Sequence, residues 1–150
     1  MAQSLVSNYV HIVFATKYRT PLIIPSIETE LYGYIAGVCT KLNCAPKAVG
    51  GFRDHVHILC VLSKNIAIAT LLEEVKKSSS RWIKTKGSFF EDFYWQNGYG
   101  AFSVSRRHVE AVQQYIANQH AHHANNGFQD EYRSLLTKNQ VDFDERYVWD

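Results

Sequence analysis

The chain has 150 residues, which suits a single domain, and its hydrophobic share of 46% is ample for a packed core. A formal net charge of +2 is too small for composition alone to mark a nucleic-acid binder. No apolar stretch is long enough to span a bilayer, and residues 1–7 lack the basic and apolar regions of a signal peptide. Three cysteines without CxxC spacing, Cys39, Cys44 and Cys60, are typical of reduced thiols. We therefore expect one cytoplasmic domain over residues 1–150, with no membrane association.

The first half of the chain alternates between strand and helix patterns. β-Branched and aromatic residues alternate over residues 9–15, which predicts a strand. From Ser26 onward apolar residues recur at helical spacing, and acidic residues in the first turn suit the helix dipole. A short strand over residues 45–52 and another over residues 54–62 follow.

The second half contains further helix patterns around an interrupted strand pattern. We predict a helix over residues 66–84, then strand character with a glycine-rich turn or bulge over residues 93–105. A third helix is predicted over residues 107–125. The tail predicts a short helix over residues 128–136 and an extended end at residues 147–149.

This order of elements predicts the fold class. A βαββαβ order forms a mainly antiparallel sheet with two helices on one face, the ferredoxin-like or RRM-like plan of the α+β class. The other face of the sheet is then free, and the third helix could cover it. That helix would lie over the strand that carries His55 and His57.

The segment His55-Val56-His57 is the first candidate for chemistry. Successive side chains of a strand point to opposite faces, so the two histidines share one face and can reach a single cation together. Neutral imidazoles suit divalent transition-type ions, and two protein ligands leave coordination positions open for substrate oxygens. The alternative is that both histidines only form the solvated face of an amphipathic strand.

Tyr115 and Gln119 form the second candidate. They lie one helical turn apart, beside the predicted buried stripe of the third helix. A tyrosine at this boundary ordinarily buries its ring and exposes its hydroxyl. A phenol can also attack a phosphodiester when a cation polarises the phosphate, and this leaves a phosphotyrosine that keeps the bond energy.

Other histidines and several basic residues are weaker candidates. His120, His122 and His123 are interpreted as helix-surface or DNA-backbone residues before metal ligands, although His123 could join the site. His11 and His108 receive no role. Phosphate contacts supply sequence-independent affinity for DNA, and the candidates for such contacts are Lys17, Arg19, Lys76, Lys77 and Arg81.

Taken together, these motifs resemble those of a known family over nearly the whole chain. They are Thr16-Lys17-Tyr18-Arg19 after the first strand, the strand that begins Asp54-His55-Val56-His57, the lysine-rich helix, the segment over residues 93–100, and Tyr115 with Gln119. In this order and at these distances they resemble the single-tyrosine HUH transposases of bacterial and archaeal insertion sequences, the IS200-like transposases.

The resemblance implies a fold, a function and a set of roles. It implies an RRM-like domain that cleaves and rejoins single-stranded DNA at hairpin-containing element ends through a 5′-phosphotyrosine, with Mg²⁺ or Mn²⁺ as cofactor. His55, His57 and Gln119 map onto the metal ligands and Tyr115 onto the nucleophile. The implied assembly is a homodimer with composite sites, in which the tyrosine helix of one subunit completes the histidine site of the other.

Three alternatives remain open. A domesticated relative that acts on dispersed genomic hairpins would carry the same catalytic residues. A non-catalytic RNA- or DNA-binding module of RRM-like architecture lacks support, because no RNP1-type aromatic pattern is present. A hydrolase that activates water on the histidine strand would leave Tyr115 unexplained.

Overall fold

The computed structural model describes all 150 residues, and its centre is one four-stranded antiparallel sheet. The strands are β1 (Tyr9–Ala15), β2 (Pro46–Phe52), β3 (His55–Val61) and β4 (Gly100–Val104). Their spatial order is β2-β3-β1-β4, and every neighbouring pair is antiparallel. The predicted α+β class with an antiparallel sheet is confirmed.

Two long helices, α1 (Pro25–Lys41) and α2 (Ile68–Lys84), cover one face of the sheet. The first helix begins with a proline and carries Glu28 in its first turn, both favourable at a helix N-terminus. Alternation along β1 sends Ile12 and Phe14 into the core beneath these helices. The second helix begins at Ile68, two residues after the predicted start.

Three shorter helices lie over the opposite face: α3 (Val109–Ala117), α4 (Gln119–His122) and α5 (Phe128–Lys138). Helix α3 packs Val109 and Ile116 against the middle of β3. Helix α5 covers the part of the sheet formed by β1 and β4 with an apolar cluster. That cluster consists of Val13, Ala15, Phe102, Phe128, Tyr132 and Leu136. The third helix therefore shares this face with α5, which the sequence pattern did not indicate.

Three predicted elements are wrong in detail. The helix predicted over residues 107–125 breaks at Asn118 and continues as α4. The strand predicted over residues 93–105 is regular only over its last part: Trp95 keeps a single antiparallel bridge to Thr16 after β1, and the carbonyls of residues 96–98 accept hydrogen bonds from Lys76. The end at residues 147–149 is a turn, held by bonds from Tyr147 and Val148 to the carbonyl of Asp144.

Two predictions from composition can be compared with this structure. All three cysteines are free and buried among core residues. None of the helices combines the length and apolar character that crossing a bilayer requires.

Candidate active site

The two histidines of β3 lie on the face covered by α3, α4 and α5. His55 and His57 are fully buried, and they stand opposite Ala15 and Val13 of the central strand β1. Val56, between them, points into the core on the other face. The predicted placement of both imidazoles on one face is confirmed, and that face is enclosed rather than solvated.

Asp54 orients the His55 ring from one side. Its Oδ1 lies 2.8 Å from Nδ1 of His55, which leaves Nε2 directed at Oε1 of Gln119, 2.9 Å away. Burial by itself lowers the pKa of His55, but hydrogen bonds to Asp54 and Glu131 outweigh it and raise the pKa to about 9. The ring is therefore held in a fixed orientation with one nitrogen facing the site.

His57 is oriented by a second buried histidine, His11 of β1. Nδ1 of His57 lies 2.8 Å from Nε2 of His11, and Nε2 of His57 lies 2.9 Å from Oε1 of Glu131. Burial is the main reason that the pKa of His57 falls to about 4 and that of His11 to about 3. His11, which has no role in the sequence interpretation, therefore supports the ring of His57.

Glu131 of α5 is the centre of the site and was missed by the sequence analysis. Its Oε1 lies within 3.2 Å of Nε2 of both His55 and His57. Its Oε2 accepts hydrogen bonds from Nε2 of Gln119, at 3.0 Å, and from the hydroxyl of Tyr115. Burial alone raises the pKa of the carboxyl, yet the surrounding histidines hold it well below its usual range.

One signal in the sequence could have revealed Glu131. The residues of α5 that pack on the sheet are Phe128, Tyr132 and Leu136, spaced as one helical face. Glu131 lies on the same face, and it is only 4% exposed. An acidic residue within an apolar helical stripe needs buried partners, and this requirement indicates a site.

Tyr115 reaches the same carboxylate from α3. Its ring centroid lies 5.6 Å from that of His57, and burial together with Glu131 raises the pKa of the phenol above its usual range. Beside it opens a cavity of about 360 Å³, whose lining includes His11, Tyr115 and Glu131. One chain by itself therefore brings the tyrosine hydroxyl and the buried histidine pair to one carboxylate, and Tyr115 and Glu131 also line open space.

The histidines of α4 and its C-terminal turn behave differently from one another. His120 is exposed and contacts Glu28, as expected for the helix surface. His123 is buried, so its interpretation as a surface residue is wrong, and the alternative in which it joins the site agrees with its position. Its Nε2 makes no hydrogen bond, although it lies 3.1 Å from Oε1 of Glu131. His122 is half-buried, with its Nε2 3.3 Å from Oε2 of Glu131.

The donor atoms at the site fit a divalent ion. Nε2 of His55, Nε2 of His57 and Oε1 of Glu131 lie within 4.8 Å of one another, and the Gln119 oxygen lies 2.9 Å from the first of these. Bonds of about 2.0–2.2 Å to one ion at near right angles place neighbouring ligand atoms about 3 Å apart. Two imidazoles with amide and carboxylate oxygens are a donor set that can hold a divalent ion.

The basic residues of α2 that are predicted to contact DNA differ in whether their side chains already bind other groups of the protein. Nζ of Lys76 is 2.8–3.0 Å from the backbone carbonyls of residues 96–98 and so fastens that segment. Lys77 forms an exposed ion pair with Glu74. Arg81 is exposed. Of these three, Lys76 has a structural use that the sequence did not indicate.

Lys17 and Arg19 lie in the turn after β1, next to a group of tyrosines with exposed rings. Lys17 is exposed, and the guanidinium of Arg19 lies 5.6 Å from the ring of Trp149. Three tyrosines near this turn and along residues 94–99 each have a lysine within cation–π distance. The pairs are Lys17 with Tyr18 at 5.5 Å, Lys84 with Tyr94 at 4.1 Å and Lys76 with Tyr99 at 5.6 Å.

A family model described as IS200-like transposase matches residues 4–119, which is well over half of the chain. The chain belongs to the IS200-like transposase family. The match includes His55, His57, Tyr115 and Gln119, and it ends before α5 and Glu131.

Individual relatives agree with this assignment. The ISDra2 transposase TnpA of Deinococcus radiodurans is 22% identical over 115 residues, which cover 73% of this chain and 82% of the relative. A solved Deinococcus radiodurans structure described as a transposase superposes with a TM-score of 0.61 at 23% identity, covering 79% of this chain and 96% of that one. A REP-associated tyrosine transposase bound to a REP hairpin superposes with a TM-score of 0.57 at 15% identity, covering 82% and 74%. Both solved structures share the fold.

Proposed function

We propose that this transposase cleaves and rejoins single-stranded DNA through a covalent bond between Tyr115 and a 5′ phosphate. The observation that carries the proposal is the convergence of the Tyr115 hydroxyl and the His55–His57 pair on one buried carboxylate, beside an open cavity. A structural tyrosine would not need two buried imidazoles and an amide around the group that binds its hydroxyl.

The chemistry requires an in-line exchange at phosphorus. The Tyr115 oxygen forms a bond to the scissile phosphorus, the bond from phosphorus to the 3′ oxygen breaks, and that oxygen leaves as a 3′ hydroxyl. Attack by another 3′ hydroxyl on the phosphotyrosine reverses the exchange and joins strands without ATP. The phenol has a raised pKa, so the attacking group needs help to lose its proton.

His55, His57 and Gln119 are the residues that would hold Mg²⁺ or Mn²⁺. Such an ion polarises the scissile phosphate and stabilises the charge that develops on its oxygens. The protein contributes orientation: Asp54 fixes His55, His11 fixes His57, and Gln119 projects from α4 towards His55. Each ligand therefore has a partner that limits its rotation.

A hairpin of single-stranded DNA is the substrate we propose. Exposed tyrosine rings next to lysines suit stacked bases and phosphates, and Tyr18 and Tyr94 are 78% and 53% exposed. Lys17, Arg19, Lys77 and Arg81 remain our candidates for phosphate contacts. The solved relative that is bound to a REP hairpin supports this substrate class.

The homodimer implied by the family resemblance stays a prediction. Whether Tyr115 and the histidine pair of one site come from the same subunit is a separate question. The hydroxyl of Tyr115 and Nε2 of His57 contact the same Glu131 side chain within one chain, which supports a site formed by a single subunit.

The central test is Tyr115→Phe. We expect this variant to form no covalent adduct with a hairpin oligonucleotide in Mn²⁺, because the attacking oxygen is gone, while hairpin binding is largely unchanged. Denaturing electrophoresis measures the adduct and a gel-shift assay measures binding. Tyr147→Phe, at an exposed tyrosine, is the matched control and should form the adduct normally. Adduct formation by Tyr115→Phe at the normal rate would refute the proposal.

A further inference from the structure

Helix α5 contributes the most connected side chain of the site, although it lies beyond the residues that match the family model. Glu131 is 4% exposed, so its carboxylate is stable only if buried groups compensate for its charge. His57, Tyr115 and Gln119 form hydrogen bonds with its two oxygens, and four histidine nitrogens lie within 3.3 Å of them. Structural carboxylates on a helix do not require such a set.

The two oxygens of Glu131 face different halves of the site. Oε1 lies 3.2 Å from Nε2 of His55 and 2.9 Å from Nε2 of His57, the atoms that would face an ion. Oε2 accepts hydrogen bonds from the hydroxyl of Tyr115 and from the amide Nε2 of Gln119. The Glu131 side chain therefore connects the two histidines to Tyr115.

We propose that Glu131 completes the divalent-ion site through Oε1 and positions Tyr115 through Oε2. This inference rests on the proposed function for the identity of the nucleophile, but its metal arm does not depend on DNA cleavage. Two imidazoles and one amide are neutral ligands. A carboxylate adds the hard anionic donor that Mg²⁺ and Mn²⁺ favour over softer groups.

The positioning role follows from the break between α3 and α4. Tyr115 lies at the end of a helix of nine residues, and Gln119 begins the next helix after a non-helical residue, Asn118. The packing of Ile116 on the sheet sets the depth of α3 but does not by itself fix the direction of the Tyr115 hydroxyl. The bond to Glu131 does, because α5 is anchored on the sheet by Phe128 and Tyr132.

The test compares Glu131→Gln with Glu91→Gln, which makes the same chemical change at an exposed residue. Three quantities are measured: Mn²⁺ affinity by calorimetry without DNA, the shift in melting temperature on adding Mn²⁺, and the rate of adduct formation at saturating hairpin. We expect Glu131→Gln to bind Mn²⁺ at least tenfold more weakly. We also expect a smaller thermal shift and an adduct rate about 100-fold lower, since a displaced nucleophile alone can cost that much.

Three results would overturn the proposal, and the third concerns a second variant. Unchanged Mn²⁺ affinity in Glu131→Gln would show that the carboxylate is not a ligand. Faster adduct formation would show that it blocks the site instead of completing it. If Glu131→Gln fails to fold, Glu131→Asp takes its place, because it keeps the charge on a shorter side chain that no longer reaches the ion position. If Glu131→Asp binds Mn²⁺ as tightly as the unmodified protein does, this also counts against the assignment.

The same experiment separates this inference from the proposed function. Loss of Mn²⁺ affinity in Glu131→Gln, with no adduct from the unmodified protein, would refute the tyrosine mechanism and retain the ligand assignment. An adduct from the unmodified protein, with normal Mn²⁺ affinity in Glu131→Gln, would retain the mechanism and refute the assignment.

Discussion

At the scale of single residues, the proton arrangement between His11 and His57 is the most constrained feature of the site. Nε2 of His57 faces a carboxylate oxygen and therefore carries the hydrogen, so its Nδ1 must accept from Nε2 of His11. An ion at Nε2 of His57 needs the lone pair of that nitrogen. The hydrogen must then be on Nδ1, and His11 must accept instead of donating.

This exchange of tautomers gives a prediction for His11→Phe. The aromatic replacement fills the space between His57 and Phe102 but cannot accept a hydrogen bond from Nδ1 of His57. Because outer-sphere partners orient metal-binding imidazoles, Mn²⁺ affinity should fall about 10- to 100-fold while the fold is kept. Calorimetry measures the affinity, and circular dichroism checks the fold.

The control for this change is His108→Phe, at an exposed histidine whose side chain hydrogen-bonds to Ser105. It should bind Mn²⁺ as the unmodified protein does. Equal affinities for His11→Phe and His108→Phe would mean that the His11 contact does not orient His57 for an ion.

At the scale of elements, the distance between α3 and β2 depends on one glycine. A side chain at Gly50 would place its Cβ 2.9 Å from both Cγ2 and the carbonyl oxygen of Ile116. Ile116 is the neighbour of Tyr115, so this close approach sets the depth at which the nucleophile lies. Gly50 also pairs with His57 in the sheet.

Gly50→Ala should therefore push α3 away from the sheet. We expect a loss of about 1–3 kcal/mol in the free energy of unfolding, as for other overpacked sites, together with slower adduct formation. Gly37→Ala is the matched control, since nothing lies within 4 Å of its Cβ and the residue is in a helix. That control should be neutral or stabilising by about 1 kcal/mol. Urea unfolding measures both, and equal stability of the two variants would contradict the packing argument.

The elements also show what the sequence could and could not predict. Strict alternation predicts which residues of β3 share a face, because the side-chain period of a strand is fixed by its geometry. The break at Asn118 carries no proline or glycine, and asparagine alone is only a weak sign of a helix end. The position of α5 depends on long-range packing of Phe128 and Tyr132, and the role of Glu131 followed from that packing and not from any motif.

At the scale of the whole molecule, the question is whether one subunit or two form the site. In this structure the tyrosine of a chain lies against the histidines of the same chain. A mixture of Tyr115→Phe and His57→Ala subunits distinguishes the two arrangements. If the halves belong to one chain, neither subunit in the mixture has an intact site, and no adduct should form.

The measurement is denaturing electrophoresis of the mixed proteins with hairpin DNA and Mn²⁺, after co-refolding to allow exchange of subunits. Co-refolded unmodified protein serves as the control for recovery of activity. Adducts in the mixture would show that the tyrosine of one subunit serves the histidines of another, as the family resemblance implied.

His11 and His57 lie on β1 and β3, the two central strands, and amide hydrogens on central strands exchange with solvent mainly through global unfolding. Tyr115 and Gln119 lie on helices of nine and four residues at the edge of the core. We therefore expect amide hydrogens of α3 and α4 to exchange with solvent faster than those of β1 and β3, as hydrogen-exchange measurements would show.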